Sequence, residues 1–146
     1  MYIEICSDKN RNERLLAYLN RFYEPKVTAY EFMKCFFACL RRLEIEEVDR
    51  DLVTFLMQEK GKVENAVVLE EIRFRTNGIN YYSDDIEDAL FNLQNGGLLG
   101  KMNPSFGIII IKYDESEIQK AINSINQEYS NIIDKIAQNY KKKYNL

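Results

Sequence analysis

The chain has 146 residues, 46% of them apolar, which fits a single domain able to bury a sizeable core. A net charge of −3 gives no overall field to attract nucleic acid, and the absence of histidine removes the usual neutral-pH base of catalysis. No basic n-region and apolar h-region open the chain, and its longest aliphatic run, Ile108 to Ile111, is too short to span a bilayer, so a soluble, cytoplasmic protein is expected.

Met1 to Cys6 alternates as a short strand, suited to adding an edge to a later hairpin. From Asn10 to Tyr23 the apolar residues Leu15, Leu16, Leu19, Phe22 and Tyr23 recur at helical spacing, and Glu24-Pro25 ends that helix because the residue before proline avoids the α region. Thr28-Ala29-Tyr30-Glu31 is a capping box, with Val27 and Phe32 placed as a hydrophobic staple. The helix that follows, about Ala29 to Leu43, has almost no polar face. Met33, Phe36, Phe37 and Leu40 are therefore expected at the centre of the core. Cys35 and Cys39 lie one turn apart on it, and without histidine or a second cysteine pair they are read, with Cys6, as reduced core residues rather than metal ligands.

Glu44 to Asp51 is acidic, which suits the positive end of a helix, and that helix is expected to run to Lys60 with Gly61 as its C′ residue. Asn65 is placed to cap a segment, Ala66 to Gly78, with two readings. As a helix it turns Val68, Leu69, Ile72 and Thr76 inward; as a strand it alternates Ile72, Phe74 and Thr76 against Arg73 and Arg75 before an Asn-Gly hairpin turn. Ser83 then opens a helix with apolar Ile86, Ala89, Leu90 and Leu93, stopped at Gly96-Gly97. Leu98-Leu99, the turn-forming Asn103-Pro104-Ser105 and the β-branched run Ile108 to Ile111 complete a helix-then-hairpin order.

That order over Ser83 to Tyr113 resembles the third helix and wing of a winged helix-turn-helix domain. The resemblance implies helices at about 49 to 60, 66 to 76 and 83 to 95, and so favours the helical reading of 66 to 76. It gives one mainly α domain with a small β-hairpin (α+β): residues 1–45 as an N-terminal strand and helices, 46–113 as the winged-helix-like part, and 114–146 as a long C-terminal helix. In size and layout the chain is also similar to accessory subunits of bacterial condensin-like ATPases and to the small middle components of ABC-type three-component antiviral defence systems. Those resemblances imply a protein partner, such as a larger ATPase or nuclease subunit.

Asp114 with Glu117 marks the start of the last helix, expected to run unbroken for about thirty residues. Ile118, Ile122, Ile125, Tyr129, Ile132 and Ile136 follow heptad spacing along it, and this seam serves equally for homodimerisation or for packing within the chain. The seam fails at Asn139, and Lys141-Lys142-Lys143 beyond it, able to touch phosphates, are read rather as solvated lysines that complement the dipole at the helix end.

No phosphate loop or nucleophile elbow appears, so no catalytic residue, cofactor or metal site is expected. The acids Asp84, Asp85, Glu87 and Asp88 suit a helix start. At helical spacing Asp84, Asp88, Phe91 and Asn95 form the stripe opposite the apolar face. Two aspartates there oppose a DNA backbone, while a phenylalanine flanked by acids either suits a basic protein partner or is covered within the fold by the N-terminal helices or strand, two readings of equal standing. The alternative is a dimeric DNA-binding regulator of the padR-like layout, with Arg73, Arg75 and Lys101 touching the DNA backbone.

Overall fold

The protein is described by a computed structural model over residues 27–100 and 107–146. The expected strand at Met1 to Cys6, the helix at Asn10 to Tyr23, Cys6, and the Lys101 to Ser105 turn region lie outside the described residues. Among the described residues there are six α-helices and two small antiparallel strand pairs, a mainly helical α+β arrangement.

The first described helix, α1 (Ala29–Arg42), begins where the capping box requires. The Thr28 hydroxyl accepts from the Glu31 amide at 3.1 Å, and Glu31 Oε1 accepts from the Thr28 amide at 3.3 Å. Val27 and Phe32, the staple pair, are both buried. Phe32, Met33 and every residue from Cys35 to Leu40 are sealed from solvent. The expected core residues Met33, Phe36, Phe37 and Leu40 are therefore central, and α1 is the hub of the molecule.

Glu44, read from sequence as the start of an acidic helix terminus, instead closes α1. Its φ of 68° is left-handed, its amide donates to Arg41 O, and the Ile45 amide reaches back to Leu40 O at 3.0 Å. This is the paired bonding of a Schellman motif, with a glutamate where glycine is usual. The rest of the acidic run forms β1 (Glu47–Asp49) rather than helix, and α2 (Leu52–Lys60) starts only after it. Gly61 caps α2 with an ordinary φ of −68°, so the left-handed stop expected there is absent and the chain turns on through a 3₁₀ helix, Val63–Asn65.

The helix expected over 66 to 76 does not form. Only a single turn, α3 (Ala66–Leu69), is helical, and Asn65 makes no capping bond to it. Beyond it the chain extends into β2 (Arg75–Thr76), which pairs with β3 (Tyr81–Tyr82) as a hairpin. Three local features decide the outcome. The Asn77 side chain accepts from the amides of Ile79 and Asn80, the Thr76 hydroxyl accepts from Gly78, and Gly78 takes a φ of 92°. That is side-chain-stabilised turn chemistry with glycine at its left-handed position.

The next helix, α4 (Asp84–Asn95), is followed by the segment 98–100, which lies antiparallel beside β4 (Ile108–Ile110). The Gly100 amide donates to Ile110 O at 2.9 Å, and Lys112 donates to Leu98 O at 2.8 Å. On its other side β4 pairs antiparallel with β1, Val48 opposite Ile109. Val48, Ile109 and Ile111 point to the core, whereas Glu47, Asp49, Ile108 and Ile110 face out.

Where one long C-terminal helix is expected there are two, α5 (Glu115–Asn123) and α6 (Gln127–Lys143). The break is made by Asn126, whose extended backbone and side-chain bond to the Glu128 amide (2.7 Å) start a new helix. Both helices pack on α1 together with α4. Arg42 of α1 ties to Asp134 of α6 at 2.9 Å, and the Tyr113 hydroxyl just before α5 donates to Lys34 O at 2.7 Å. An aromatic joint completes the core: Tyr140 of α6 stands edge-on to Phe36 of α1 and to Phe55 of α2.

Candidate functional site

Helix α4 is defined at both ends by its own sequence. Ser83, buried, caps the start by accepting from the Ile86 amide at 3.2 Å. At the other end the Leu98 amide reaches Leu93 O and the Gly97 amide reaches Gln94 O, with Gly97 at φ 80°. Between these caps Ile86, Ala89, Leu90 and Leu93 are buried. The opposite stripe, Asp84, Asp88, Phe91 and Asn95, is exposed along its length, and the Phe91 side chain stands 61% open to solvent. An apolar ring on solvent, rimmed by carboxylates and an amide, matches the anchor-and-rim chemistry of a protein-docking surface.

The charges around the start of α4 are mostly paired. Asp85 takes both Nε and Nη2 of Arg73 at 3.2 Å, and also the Arg73 backbone amide at 2.9 Å. The side-chain bond to Arg73, then the backbone one, holds the Asp85 carboxyl below its ordinary pKa. Asp84 pairs with Arg75, which also lies over the Tyr82 ring at 4.9 Å, and Glu87 pairs with Arg50. Asp88 is the one acid of this first stretch with no ion pair among the described residues. The stripe thus presents one uncompensated carboxylate beside Phe91, not the dense negative field its sequence suggests.

Arg73 and Arg75, expected on a preceding helix as candidate DNA-backbone contacts, lie instead on the extended arm leading into the β2–β3 hairpin and spend their guanidinium groups on α4. Of the seam residues, Ile136 is fully buried, while Ile118, Ile122, Ile125, Tyr129 and Ile132 are half-buried and pack against the core. The break at Asn126 divides them between α5 and α6, so they do not form one straight heptad seam. Cys35 and Cys39 are both sealed in α1; the bond between them, then burial, pushes the Cys39 thiol above its ordinary range, which keeps it protonated and inert. No group of three or more histidine, cysteine, aspartate or glutamate side chains is placed to hold a metal among the described residues. No described helix is long and apolar enough to cross a membrane.

Comparison with protein-family models, with curated proteins and with solved structures finds no match, so the chemistry of the surface itself carries the functional reading.

Sequence reasoning missed one cluster. Glu59 on α2 is only 3% exposed although charged, because its carboxylate receives Lys62 Nζ at 2.9 Å, Asn65 Nδ2 at 2.9 Å and Asn139 Nδ2 at 3.3 Å. Asn65, read as a helix cap, is thus a carboxylate clamp. Asn139, where the heptad spacing fails, is a polar link from α6 to the same group. A polar residue interrupting an apolar seam was the available signal, but its partner is 80 positions away in sequence.

Proposed function

We propose that this protein is a non-catalytic winged-helix subunit that acts in the bacterial cytoplasm by docking α4 onto a basic surface of a larger protein. The observation that carries the reading is Phe91, held on solvent by a helix whose inward face is otherwise filled and beside Asp88, which has no ion pair among the described residues. The element order supports the fold part of the reading: α1, β1, α2, then α4, the 98–100 segment and β4, with β4 lying between the other two strands. One departure is plain. Between α2 and α4 a helix-turn-helix has a short turn, and here the chain inserts α3 and the β2–β3 hairpin. That insertion carries the two arginines that neutralise Asp84 and Asp85, so it stabilises the very end of α4 that a groove-reading helix would offer to DNA. The similarity in layout to accessory subunits of condensin-like ATPases and to middle components of three-component defence systems points to a large ATPase or nuclease as partner.

The test compares three variants by thermal melting and by pull-down with mass spectrometry. Phe91→Ala should change stability by less than about 0.5 kcal/mol, as for an exposed site. It should cost a complex about 2 kcal/mol or more, as for a hot-spot anchor. Asp88→Lys should weaken the same complex through charge reversal. Leu90→Ala, its buried neighbour, should instead lose about 2 to 5 kcal/mol of stability. Retention of the same partner by Phe91→Ala, or a melting temperature as low as that of Leu90→Ala, would remove the docking reading.

A further inference from the structure

The Glu59 cluster lies at the base of a cleft of about 430 Å³ between α2 and the end of α6. Three lysines, Lys62, Lys142 and Lys143, line it against the one carboxylate. An ammonium group carries three N–H donors. Lys62 spends one on Glu59, and Lys143 spends one on Gln58 Oε1 at 2.7 Å while resting 5.8 Å from the centres of the Phe55 and Tyr144 rings. Both lysines are therefore held in place with donors to spare. The Lys142 ammonium makes no bond to any described residue. Asn139, fixed by Glu59, adds an amide to the wall.

From this arrangement we infer that the cleft is a binding site for a small phosphate-bearing ligand, held by Lys62, Lys142 and Lys143. Ammonium groups suit phosphate as point charges, and three lysines set against one buried carboxylate give the cleft a net positive lining on a chain of net charge −3. The volume falls within the range of small-molecule sites. A polynucleotide is the less suitable source of phosphate, because it needs a basic track with stacking platforms beyond the three lysines that line the cleft. Occupation of the cleft would bridge α2 and α6 across the joint where Tyr140 meets Phe55.

Titration of the ¹⁵N-labelled full chain with inorganic phosphate and with adenosine monophosphate tests the assignment at constant ionic strength. Saturable shifts confined to Gln58, Lys62, Asn139, Lys142 and Lys143 are expected. Lys142→Gln combined with Lys143→Gln should weaken the apparent affinity at least tenfold while leaving the melting temperature of the free protein near that of wild type. Lys135→Gln with Lys141→Gln, on the same helix but away from the cleft lining, should bind as wild type. Non-saturating shifts, or equal losses in both double variants, would show general charge attraction and overturn the site. Tighter binding of a single-stranded oligonucleotide than of the mononucleotide, at equal phosphate concentration, would overturn the small-ligand assignment.

Discussion

Tyr140 sits where α1, α2 and α6 meet, 2% exposed, and its ionisation is tied to the integrity of that joint. Burial first, then the nearby charges of Asp49 and Tyr144, raises its phenol above the ordinary value of 10.0, and burial does the same to Tyr113. A phenol that holds its proton more tightly folded than unfolded stabilises the fold below pH 10 and loses that contribution as the pH climbs past it. Asp85 has the opposite sign: its lowered pKa adds stability above 3.8 that disappears as the pH falls below that value. Melting temperatures should therefore fall on both limbs. Tyr140→Phe should flatten the alkaline decline above about pH 10 while leaving the acid limb unchanged. An unchanged alkaline limb would mean that Tyr140 titrates as freely in the fold as in the unfolded chain.

At the scale of elements, some boundaries were legible and others were not, for physical reasons that differ. The start of α1 and both ends of α4 were readable because their signals are local: a capping box within four residues, a serine cap, a glycine pair that supplies a left-handed stop. The stretch from Ile72 to Thr76 satisfied helix and strand periodicity alike. The turn at Thr76 to Asn80 decided it, and the bonds from Arg73 and Arg75 to carboxylates on α4 hold the extended arm through pairings that periodicity does not carry. The division of α5 from α6 was hidden because the apolar spacing runs through Ser124 to Asn126 without a change of phase, and only the cap at Asn126 marks it. Since Ile125 and Ile132 pack on the core, Ile125→Asp with Ile132→Asp should lower the melting temperature, because burying unpaired charge costs several kcal/mol. Light scattering with circular dichroism checks this, and a folded species of half the wild-type mass would instead assign the stripe to a dimer.

For the molecule as a whole, the distribution of charge matters more than its sum. Carboxylates gather on β1 and the first turns of α4, and lysines gather at the end of α6. Arginines near α4 are already paired, so duplex DNA would have to displace Asp84 and Asp85 to reach them. No sequence-specific duplex binding is expected at physiological salt; submicromolar, salt-sensitive retardation of a single promoter fragment in a gel-shift assay would reverse that conclusion. The residues of the candidate docking stripe were readable from spacing, but the exposure of Phe91 was not, because it depends on what the rest of the chain leaves uncovered. The Glu59 cleft was not, because its walls come from segments far apart in the chain.

The burial of the apolar face of α1 also bears on how the chain is made. Its cover comes from α4, α5 and α6, all synthesised after it, and the last aromatic contact waits for Tyr140. Until that residue has left the ribosome, a nascent chain carries Phe32, Phe36 and Phe37 without their final cover. Long-range closure of this kind slows folding and leaves apolar surface open to chaperones in the interval. The same helix that anchors the finished core is thus the segment most in need of protection during translation.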